Sequence, residues 1–430
     1  MAKLKIVWIC HFSNELVRKH LNEGAGLLES FVRKILKKPL KVCDFAQWNT
    51  NAIREFEKFT DDVELHVISP GYFMKNKESS FDENGIHYHF FKDEQSFLDR
   101  IVNKFWGRYP LYKKNRAYIK GKIAEIKPDL VHVIGAENPN YSLAALDIPE
   151  TIPQLVQLQT LMIDPDFKNN YPISEKMYEY RAGIERKILE KSNYIGTVVK
   201  KFIAYINSDV KIKHPVLSTT LALTEPVDFS FEKKEFDFVY FALNISKAAD
   251  FAIEAFAIAC KEMPSITLDI VGEYSASLKA QLDSRIAELG IEKNVFFEGK
   301  QATHDDVIHQ IKKSRFALLP LKIDLISGTV REAMASGLPV VSTITPSTPK
   351  LNEKRESILL SKNGDHQAMA DNMLKLLNDE NFANMIRENA GVTASEKISN
   401  EQHMRKWVAA YHACIDNFKN GTQIPQELLS

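Results

Sequence analysis

The sequence predicts an α/β protein with two doubly wound parallel-sheet domains of Rossmann-like type. Short apolar runs alternate with helical patterns along all 430 residues, as is typical of parallel sheets covered by helices on both faces. The chain is also too long for one ordinary hydrophobic core. A stretch without helical period, residues 214–232, interrupts the alternation. We therefore expect a first domain over residues 1–220, a second over 221–399, and a helical segment over 400–430.

Six strand-like runs are expected in each half. In the first half they are KIVWIC, VELHVIS, IHYHFFK, DLVHVIG, PQLVQLQ and YIGTVV, and in the second FDFVYFAL, ITLDIVG, NVFFEG, FALLPL, PVVST and SILLS. Helices are predicted over residues 247–262, 276–289, 304–314, 366–377 and 400–418. Because ligands of open α/β sheets bind at the carboxyl ends of the strands, residues that directly follow a strand are candidates for a site.

Composition and charge argue against several classes of protein. The net charge is zero, which argues against a general nucleic-acid binder. The four cysteines are far apart and form no CxxC pair, so they indicate neither a zinc site nor a disulfide framework. The N-terminal apolar run is too short for a signal peptide, and no run approaches the ~20 residues that span a bilayer. We expect a cytoplasmic protein, with peripheral contact at the inner membrane face left open.

The most informative segment is FALLPLKIDLISGTVREAMASGLPVVST, residues 316–343, which indicates a strand, a polar loop, a short helix and a second strand. Ser327, Gly328 and Thr329 open the helix. Glycine at this position lets a ligand approach the backbone closely. The free N–H groups of the first turn and the positive end of the helix dipole favour an anion. The sequence therefore places a phosphate-sized anion near Gly328 and Thr329.

The same segment carries a family resemblance. Asp324, seven further residues, Glu332 and then AMASGLPVV resemble the signature of the retaining glycosyltransferases of family four (group 1), which have the GT-B fold. The resemblance implies a nucleotide-sugar donor on the second domain, with its ribose on Glu332 and its sugar near Asp324, in a cleft between the domains. It also implies that the C-terminal helix, 400–430, crosses back to the first domain. An alternative stays open, because Thr329-x-x-Glu332 is also a helix capping box.

A second donor segment is FDFVYFALNISKAAD. Ser246 is expected to cap a helix, and Lys247 would then lie in the first turn, where a cation opposes the helix dipole unless an anion lies between them. A solvated surface lysine is the alternative. The resemblance implies an arginine after the strand and a lysine five residues later, both holding the donor diphosphate. Lys247 matches the lysine, but Ala242 stands at the arginine position. Either Arg331 or Lys322 replaces that cation, or the Gly328 loop holds the donor, or catalysis has been lost.

Four polar residues follow strands of the first half. His11 follows the first strand, Glu137 and Asn138 follow DLVHVIG, and Gln159 ends PQLVQLQ. We predict that they bind the acceptor, with loop residues that face water as the alternative. The resemblance implies paired glycines in the first loop, which are absent, and a sugar-binding histidine at the position of Gln159, whose amide could still bind a hydroxyl.

The remaining motifs are weaker. Gly272 ends ITLDIVG and matches a donor-site glycine of the family, although turn geometry also explains it. Asp164-Pro-Asp166 is a DxD pattern, which holds a divalent cation in the GT-A fold, but Asp and Pro also favour turns. His304 and His309 are expected on a solvated helix. Since no HExxH spacing occurs, we expect no metal and no cofactor apart from the nucleotide-sugar substrate.

Residues 100–124 combine eight Lys and Arg residues with five aromatic residues and contain no acid. This composition suits an anionic lipid surface or a phosphate-bearing acceptor. Such stretches also bind single-stranded nucleic acid, but a nucleic-acid partner is not expected here. The alternative is a solvated helix whose aromatic side chains pack inward.

The predicted function is transfer of a hexosyl or related sugar, with retention and without a metal, to a saccharide or lipid-linked acceptor in cell-surface polysaccharide assembly. Lys247, Asp324 and Glu332 are the predicted catalytic residues. Ser246, Gly272, Ser327, Gly328 and Thr329 would bind the donor. Two alternatives stay open: a sugar-nucleotide epimerase of the same fold, and a catalytically silent nucleotide-sugar-binding scaffold subunit.

Overall fold

A computed structural model describes residues 3–24, 27–35, 42–96, 99, 109–164, 167, 173–221, 233–244, 248–321, 328–345, 347–397 and 400–430. The chain forms two compact units. Unit 1 comprises Met1–Ala222 and Asn400–Ser430, and unit 2 comprises Leu223–Ser399. Each unit has its own sheet, and the predicted α/β class with two doubly wound domains is confirmed.

The described strands of unit 1 form a seven-stranded sheet in the order β3-β4-β2-β1-β5-β6-β7. The strands are β1 (Leu4–Ile9), β2 (Val63–Gly71), β3 (Glu78–Glu83), β4 (Ile86–Lys92), β5 (Leu130–Ile134), β6 (Gln154–Gln157) and β7 (Tyr194–Gly196). Neighbouring strands are parallel except β3, which runs antiparallel to β4. The helices packed around this sheet are α1 (Glu15–Arg18), α2 (Leu27–Ile35), α3 (Gln47–Phe56), α4 (Lys113–Ile126), α5 (Pro139–Ser142), α6 (Glu175–Lys191) and α7 (Lys200–Asp209).

The six predicted strands of the first half are present, but the prediction missed β3. Its side chains alternate between exposed and half-buried, so it lacks the apolar run by which the other strands were recognised. The sequence did contain a signal for it. Asn84 and Gly85, both with positive φ (50° and 78°), form the turn between β3 and β4, and Asn-Gly is a strong signal for a two-residue hairpin.

The strands of unit 2 form a parallel sheet in the order β10-β9-β8-β11-β12-β13. They are β8 (Phe236–Asn244), β9 (Leu268–Glu273), β10 (Val295–Gly299), β11 (Ser314–Leu319), β12 (Val340–Thr343) and β13 (Leu359–Ser361). The helices are α8 (Ala249–Glu262), α9 (Ala276–Leu289), α10 (His304–Lys312), α11 (Gly328–Ala335), α12 (His366–Asn378) and α13 (Glu380–Lys397). The inner strands are almost wholly buried, because helices cover a doubly wound sheet on both faces.

Local sequence explains where several of these helices begin and end. Ser275 Oγ accepts a hydrogen bond from Leu278 N at the start of α9, and Asp365 Oδ1 accepts one from Ala368 N at the start of α12. Each bond satisfies a backbone donor that has no partner within the helix. Helix α9 ends at Gly290, whose φ of 70° favours glycine.

The last helix, α14 (Asn400–Asn420), belongs to unit 1 and packs against its sheet. Trp8 Nε1 of β1 donates to Tyr411 Oη (2.8 Å), and this hydroxyl lies 2.7 Å from Nδ1 of His132 in β5. The ring of Trp407 meets Trp8 edge to face, with centroids 5.2 Å apart. All four side chains are buried. A polar contact within an aromatic core thus fixes the position of α14 on β1 and β5. No helix in the described part of the chain has the length and apolar character to cross a bilayer.

Replacing Tyr411 by phenylalanine is expected to destabilise unit 1, because Trp8 Nε1 and His132 Nδ1 would remain buried without their shared partner. An unsatisfied buried polar group costs about 1–3 kcal/mol. Calorimetry should resolve the loss, since 1 kcal/mol lowers the Tm of a domain of this size by about 2–4 °C. Tyr205→Phe, at a half-buried tyrosine of the same unit, is the control and should leave Tm unchanged. Equal melting of the two variants would show that the network adds no stability.

Candidate functional site

In each sheet, the strand that comes first along the chain lies in the interior. In unit 1, β1 is flanked by β2 and β5, and in unit 2, β8 is flanked by β9 and β11. The chain builds outward from the first strand in one direction and then returns to build in the other. At such a reversal the loops after the two central strands leave on opposite faces of the sheet and open a crevice at the carboxyl edge. Most of the predicted site residues follow these central strands.

On the donor side the structure describes Gly272, Gly328, Thr329 and Glu332, whereas Ser246, Lys247, Asp324 and Ser327 lie outside the described residues. Strand β8 ends at Asn244, three residues before Lys247, and β11 ends at Leu319, nine residues before α11 begins. Since β8 and β11 are parallel neighbours, both predicted donor segments follow the strands that flank the reversal.

Glu332 is the fifth of the eight residues of α11, and its side chain is only 13% exposed. Burial raises the pKa of this carboxyl, and the charge of His304 offsets part of the increase. Helix α11 begins at Gly328, so Thr329 lies within the helix rather than at the preceding N-cap position. The capping-box alternative required Thr329 as the cap and therefore does not explain Glu332.

His304 is a neighbour of Glu332 that the sequence did not indicate. Its Nε2 lies 3.6 Å from Glu332 Oε1. The position of His304 follows from a capping box at the start of α10, in which Thr303 Oγ1 accepts from Asp306 N (3.1 Å) and Asp306 Oδ2 accepts from Thr303 N (3.0 Å). His304, the first residue of α10, is thus half-buried against Glu332 of α11. His309, on the same helix, is exposed.

Gly272 lies near the end of β9 and pairs across the strands with Ala242 of β8. Its φ of 142° is in the region that favours glycine. The backbone at Gly272 therefore adjoins the position where the family resemblance implies an arginine. Beside it, Glu273 Oε2 lies 2.8 Å from Lys300 Nζ, which brings a cation to this edge of the sheet.

Three of the four predicted acceptor residues of unit 1 come together around Glu137. Its Oε1 accepts from Asn138 Nδ2 (3.0 Å). The amide of Gln159 lies between Glu137 and Trp48: with its nitrogen 2.9 Å from Glu137 Oε1, its oxygen accepts from Trp48 Nε1 (3.0 Å). This orientation is assigned because it satisfies both partners. The ends of β5 and β6, together with α3, thus contribute to one polar cluster.

Arg181 of α6 holds the backbone of this cluster. Its Nε donates to the carbonyl oxygen of Glu137 (2.7 Å), and its Nη2 donates to Asn138 Oδ1 (3.3 Å). Sequence reasoning missed Arg181 and Trp48, because both lie on helices far along the chain from the strand ends that they contact. A search restricted to residues after strands cannot find such groups.

Burial controls the charge of the acceptor-side residues. It raises the pKa of Glu137 to about 7, partly offset by backbone hydrogen bonds and by Arg181. It also raises the pKa of nearby Glu185 to about 8, and lowers the pKa of His11 to about 4, so this ring is neutral at pH 7. Within the described ranges, no group hydrogen-bonds Glu137 Oε2 or His11 Nδ1. Buried polar atoms of this kind are rare in the absence of a ligand or water.

Two other sequence motifs have structural explanations where they are described. Tyr109 stacks on Tyr180 and Tyr118 packs on Phe91, with centroids 4.8 and 5.2 Å apart, so these aromatic residues of the 100–124 segment face the protein. Residues 100–108 lie outside the described ranges, and membrane binding stays a prediction.

Of the DxD pattern, Asp164 is described and Asp166 is not. Asp164 N donates to Leu161 O in a turn, and Asp164 Oδ2 lies 2.6 Å from Lys201 Nζ. Asp164 thus lies in a turn and pairs with a lysine, which agrees with the alternative that the DxD pattern forms a turn.

Comparison with known proteins finds a family match in the second half of the chain. Residues 225–392 match the family described as "Glycosyl transferases group 1". The resemblance to group 1 glycosyltransferases, which the Glu332 motif indicated, is thus confirmed. A solved structure of the Anabaena protein HepE in complex with UDP and glucose superimposes with a TM-score of 0.60 at 15% identity, covering 95% of this chain and 100% of that chain. At this identity the likeness shows the fold, and the GT-B prediction is confirmed.

Two relatives match over shorter stretches. An N-acetyl-alpha-D-glucosaminyl L-malate synthase of Bacillus anthracis is 28% identical over 136 residues, 32% of this chain and 35% of the relative. A poly(ribitol-phosphate) alpha-N-acetylglucosaminyltransferase of Staphylococcus aureus strain COL is 26% identical over 172 residues, 39% of this chain and 33% of the relative. The chain thus spans about a third of the length of the curated relatives it matches.

The acceptor-side cluster depends on Gly135, whose φ is 90°. A Cβ added there would lie 2.7 Å from Tyr141 Oη and 2.9 Å from both carboxylate oxygens of Glu137. Gly135→Ala should therefore displace Glu137 and destabilise unit 1 by about 1–3 kcal/mol, measured as a lower Tm. Gly183→Ala, in the middle of α6 with open space around the added Cβ, is the control and should be neutral or slightly stabilising. Equal Tm values for Gly135→Ala and Gly183→Ala would contradict the close packing of Gly135 against Glu137.

Proposed function

We propose that this chain, which matches the group 1 glycosyl transferases over residues 225–392, is a retaining, metal-independent glycosyltransferase. It would transfer a hexosyl or related sugar from a nucleotide-diphosphate sugar to a saccharide or lipid-linked acceptor in cell-surface glycan assembly. The proposed setting is the cytoplasm, with peripheral membrane contact through the basic segment 100–124. The observation that carries the proposal is the buried Glu332 carboxyl, close to the N-terminus of α11 and inside the family match.

The donor would bind at the carboxyl edge of the unit 2 sheet. Backbone N–H groups at Gly328 and Thr329, together with the α11 dipole, suit the diphosphate. Glu332 would accept hydrogen bonds from the ribose hydroxyls, and His304, 3.6 Å away, would hold the carboxylate in place. Lys247 is proposed to contact the diphosphate and Asp324 the sugar, with Ser246, Gly272 and Ser327 lining the donor loops.

The proposed step forms a bond between the acceptor oxygen and the sugar C1 as the bond from C1 to the donor phosphate breaks. The departing phosphate oxygen accepts the acceptor proton, so no protein base is required. Negative charge grows on the diphosphate in the transition state. Preorganised N–H donors and a cation at that point are worth the most, because a single such donor can contribute ~10²–10³ in rate.

The acceptor is proposed to bind at the Glu137 cluster of unit 1. A carboxyl with a pKa of about 7 can both donate to and accept from a sugar hydroxyl at neutral pH. Asn138 and Gln159 already bond Glu137 Oε1 and would supply amide groups to neighbouring hydroxyls. His11 would offer its neutral ring. The Gln159 amide takes the place of the histidine that the family resemblance implied.

The first donor to test is UDP-N-acetylglucosamine. The solved HepE structure contains UDP, and the names of both relatives specify alpha-linked N-acetylglucosaminyl groups. Two observations favour the alternatives. Ala242 at the arginine position favours a nucleotide-sugar-binding scaffold without turnover, and the titratable Glu137 and Glu185 would suit an epimerase, which needs acid and base groups.

A thermal-shift screen of UDP, GDP, ADP, CMP and their sugars tests the donor site. A bound ligand raises the Tm by mass action, by the equivalent of about 2.7 kcal/mol at a hundredfold excess over Kd. Glu332→Ala and Lys247→Ala should each weaken binding by about 10–100-fold, since a hydrogen bond to a charged group is worth about 1.5–3 kcal/mol. Glu262→Ala, at an exposed carboxyl of the same unit, is the matched control.

Turnover is then measured with the nucleotide-sugar that binds, by nucleotide release and by the NMR coupling constant of the product anomeric proton. Transfer that keeps the donor configuration is expected. Binding without release of nucleotide would replace the enzyme by the scaffold alternative, and conversion of the sugar without an acceptor would replace it by the epimerase. If no nucleotide shifts the wild type, the donor site is wrongly assigned.

A further inference from the structure

A cluster of imidazole and carboxylate groups lies on one face of the unit 1 sheet, apart from the proposed acceptor site. Parallel pairing of β2 and β4 places His66 directly opposite His87. Glu64 lies two residues before His66 and therefore points to the same face. Side chains that are 21 or more positions apart in sequence thus meet on adjacent strands. The acceptor-side residues, by contrast, lie beyond the carboxyl ends of the strands.

The potential ligand atoms of Glu64, His66 and His87 all lie within 4.8 Å of one another. His66 Nε2 is 2.9 Å from Glu64 Oε1. Three ligands around a tetrahedral Zn²⁺, with Zn–N of about 2.0–2.1 Å, are separated by about 3.3 Å. The pair formed by Glu64 and His66 is therefore already close to ligand spacing, and the widest pair must close by about 1.5 Å. One carboxylate and two imidazoles are a common ligand set for zinc.

The outer partners of both histidines are also in place. His87 Nδ1 lies 2.6 Å from Asp82 Oδ1, and His66 Nδ1 lies 3.1 Å from His89 Nε2. In metal sites, a ligating imidazole is oriented by a hydrogen bond that its other ring nitrogen donates, most often to a carboxylate, a backbone carbonyl or a water molecule. Here those bonds engage Nδ1 on both rings and leave Nε2 as the ligating atom. His89 is in turn fixed by Ser80 Oγ, 3.1 Å from its Nδ1.

The groups that must move are the accessible ones. His66 is nearly buried, with its side chain 11% exposed, whereas Glu64 and His87 are 33% and 35% exposed. The His66 and His87 rings now stack with centroids 4.5 Å apart, so the two imidazoles are already adjacent. Lys5 Nζ, 3.0 Å from Glu64 Oε1, is the cation that a metal ion would displace.

We propose that Glu64, His66 and His87 bind one Zn²⁺ ion, with a fourth coordination position open to water. The ion would join β2 to β4, and through Asp82 it would also fix the β3–β4 hairpin. This role is stabilising and separate from sugar transfer, so it does not depend on the proposed function. The absence of HExxH spacing did not exclude the site, because cross-strand pairing rather than helical spacing brings these ligands together.

The test is titration of the untagged full chain with Zn²⁺ by calorimetry after treatment with a chelator. One saturable ion per chain is expected. Glu64→Gln and His87→Gln should each weaken binding by at least tenfold, and both sites are exposed enough for the variants to fold. His412→Gln is the control, because it removes an exposed imidazole of α14, which packs on the Trp8 side of β1, whereas Lys5 and Glu64 lie on the other side.

A second readout uses Co²⁺ in place of Zn²⁺. The visible absorption of bound Co²⁺ reports tetrahedral coordination by nitrogen and oxygen. The wild type and His412→Gln should develop this absorption, and the two ligand variants should not. Zn²⁺ should also raise the Tm of the wild type but not of Glu64→Gln. The proposal is overturned if the wild type shows no saturable binding, or if Glu64→Gln and His87→Gln bind Zn²⁺ as tightly as the wild type.

Discussion

The interior position of the first strand in each sheet is the constraint on which the rest of this structure depends. Right-handed crossovers allow a chain that starts in the middle of a parallel sheet to build outward and then return, and the reversal opens a crevice beside the first strand. In unit 1 the crevice lies between β1 and β5, and in unit 2 between β8 and β11. The two clusters of polar residues that carry the functional proposals lie at the carboxyl ends of these strands.

Burial of carboxyl groups is the second common feature of the two clusters. Glu332 and Glu137 are both withdrawn from water, and burial raises the pKa of each. A buried carboxyl is costly unless it is well paired. Here the partners are few and specific: His304 for Glu332, and Asn138 with Gln159 for Glu137. Carboxyl groups with perturbed pKa values are frequent at functional sites.

The sequence was informative where a single segment carries the signal. Buried parallel strands appear as apolar runs, so the twelve expected strands were found, and the Glu332 motif indicated the family because strand, loop and helix are contiguous. The sequence was uninformative where contacts join segments that are far apart along the chain. His304 reaches Glu332 from another helix, Arg181 reaches Glu137 across 44 positions, and His87 meets His66 only through strand pairing. Strand β3 is a different case, because the sequence marks it by its Asn-Gly turn and not by an apolar run.

We propose that the crevice beside β8 and β11 holds a nucleotide-diphosphate sugar with Glu332 on the ribose. Diffraction from crystals of the full chain grown with UDP would test it most directly. We expect diphosphate oxygens within about 2.7–3.2 Å of the backbone nitrogens of Gly328 or Thr329, and both ribose hydroxyls on the Glu332 carboxylate. A UDP molecule ordered elsewhere on the chain, or bound here with its ribose turned away from Glu332, would contradict it.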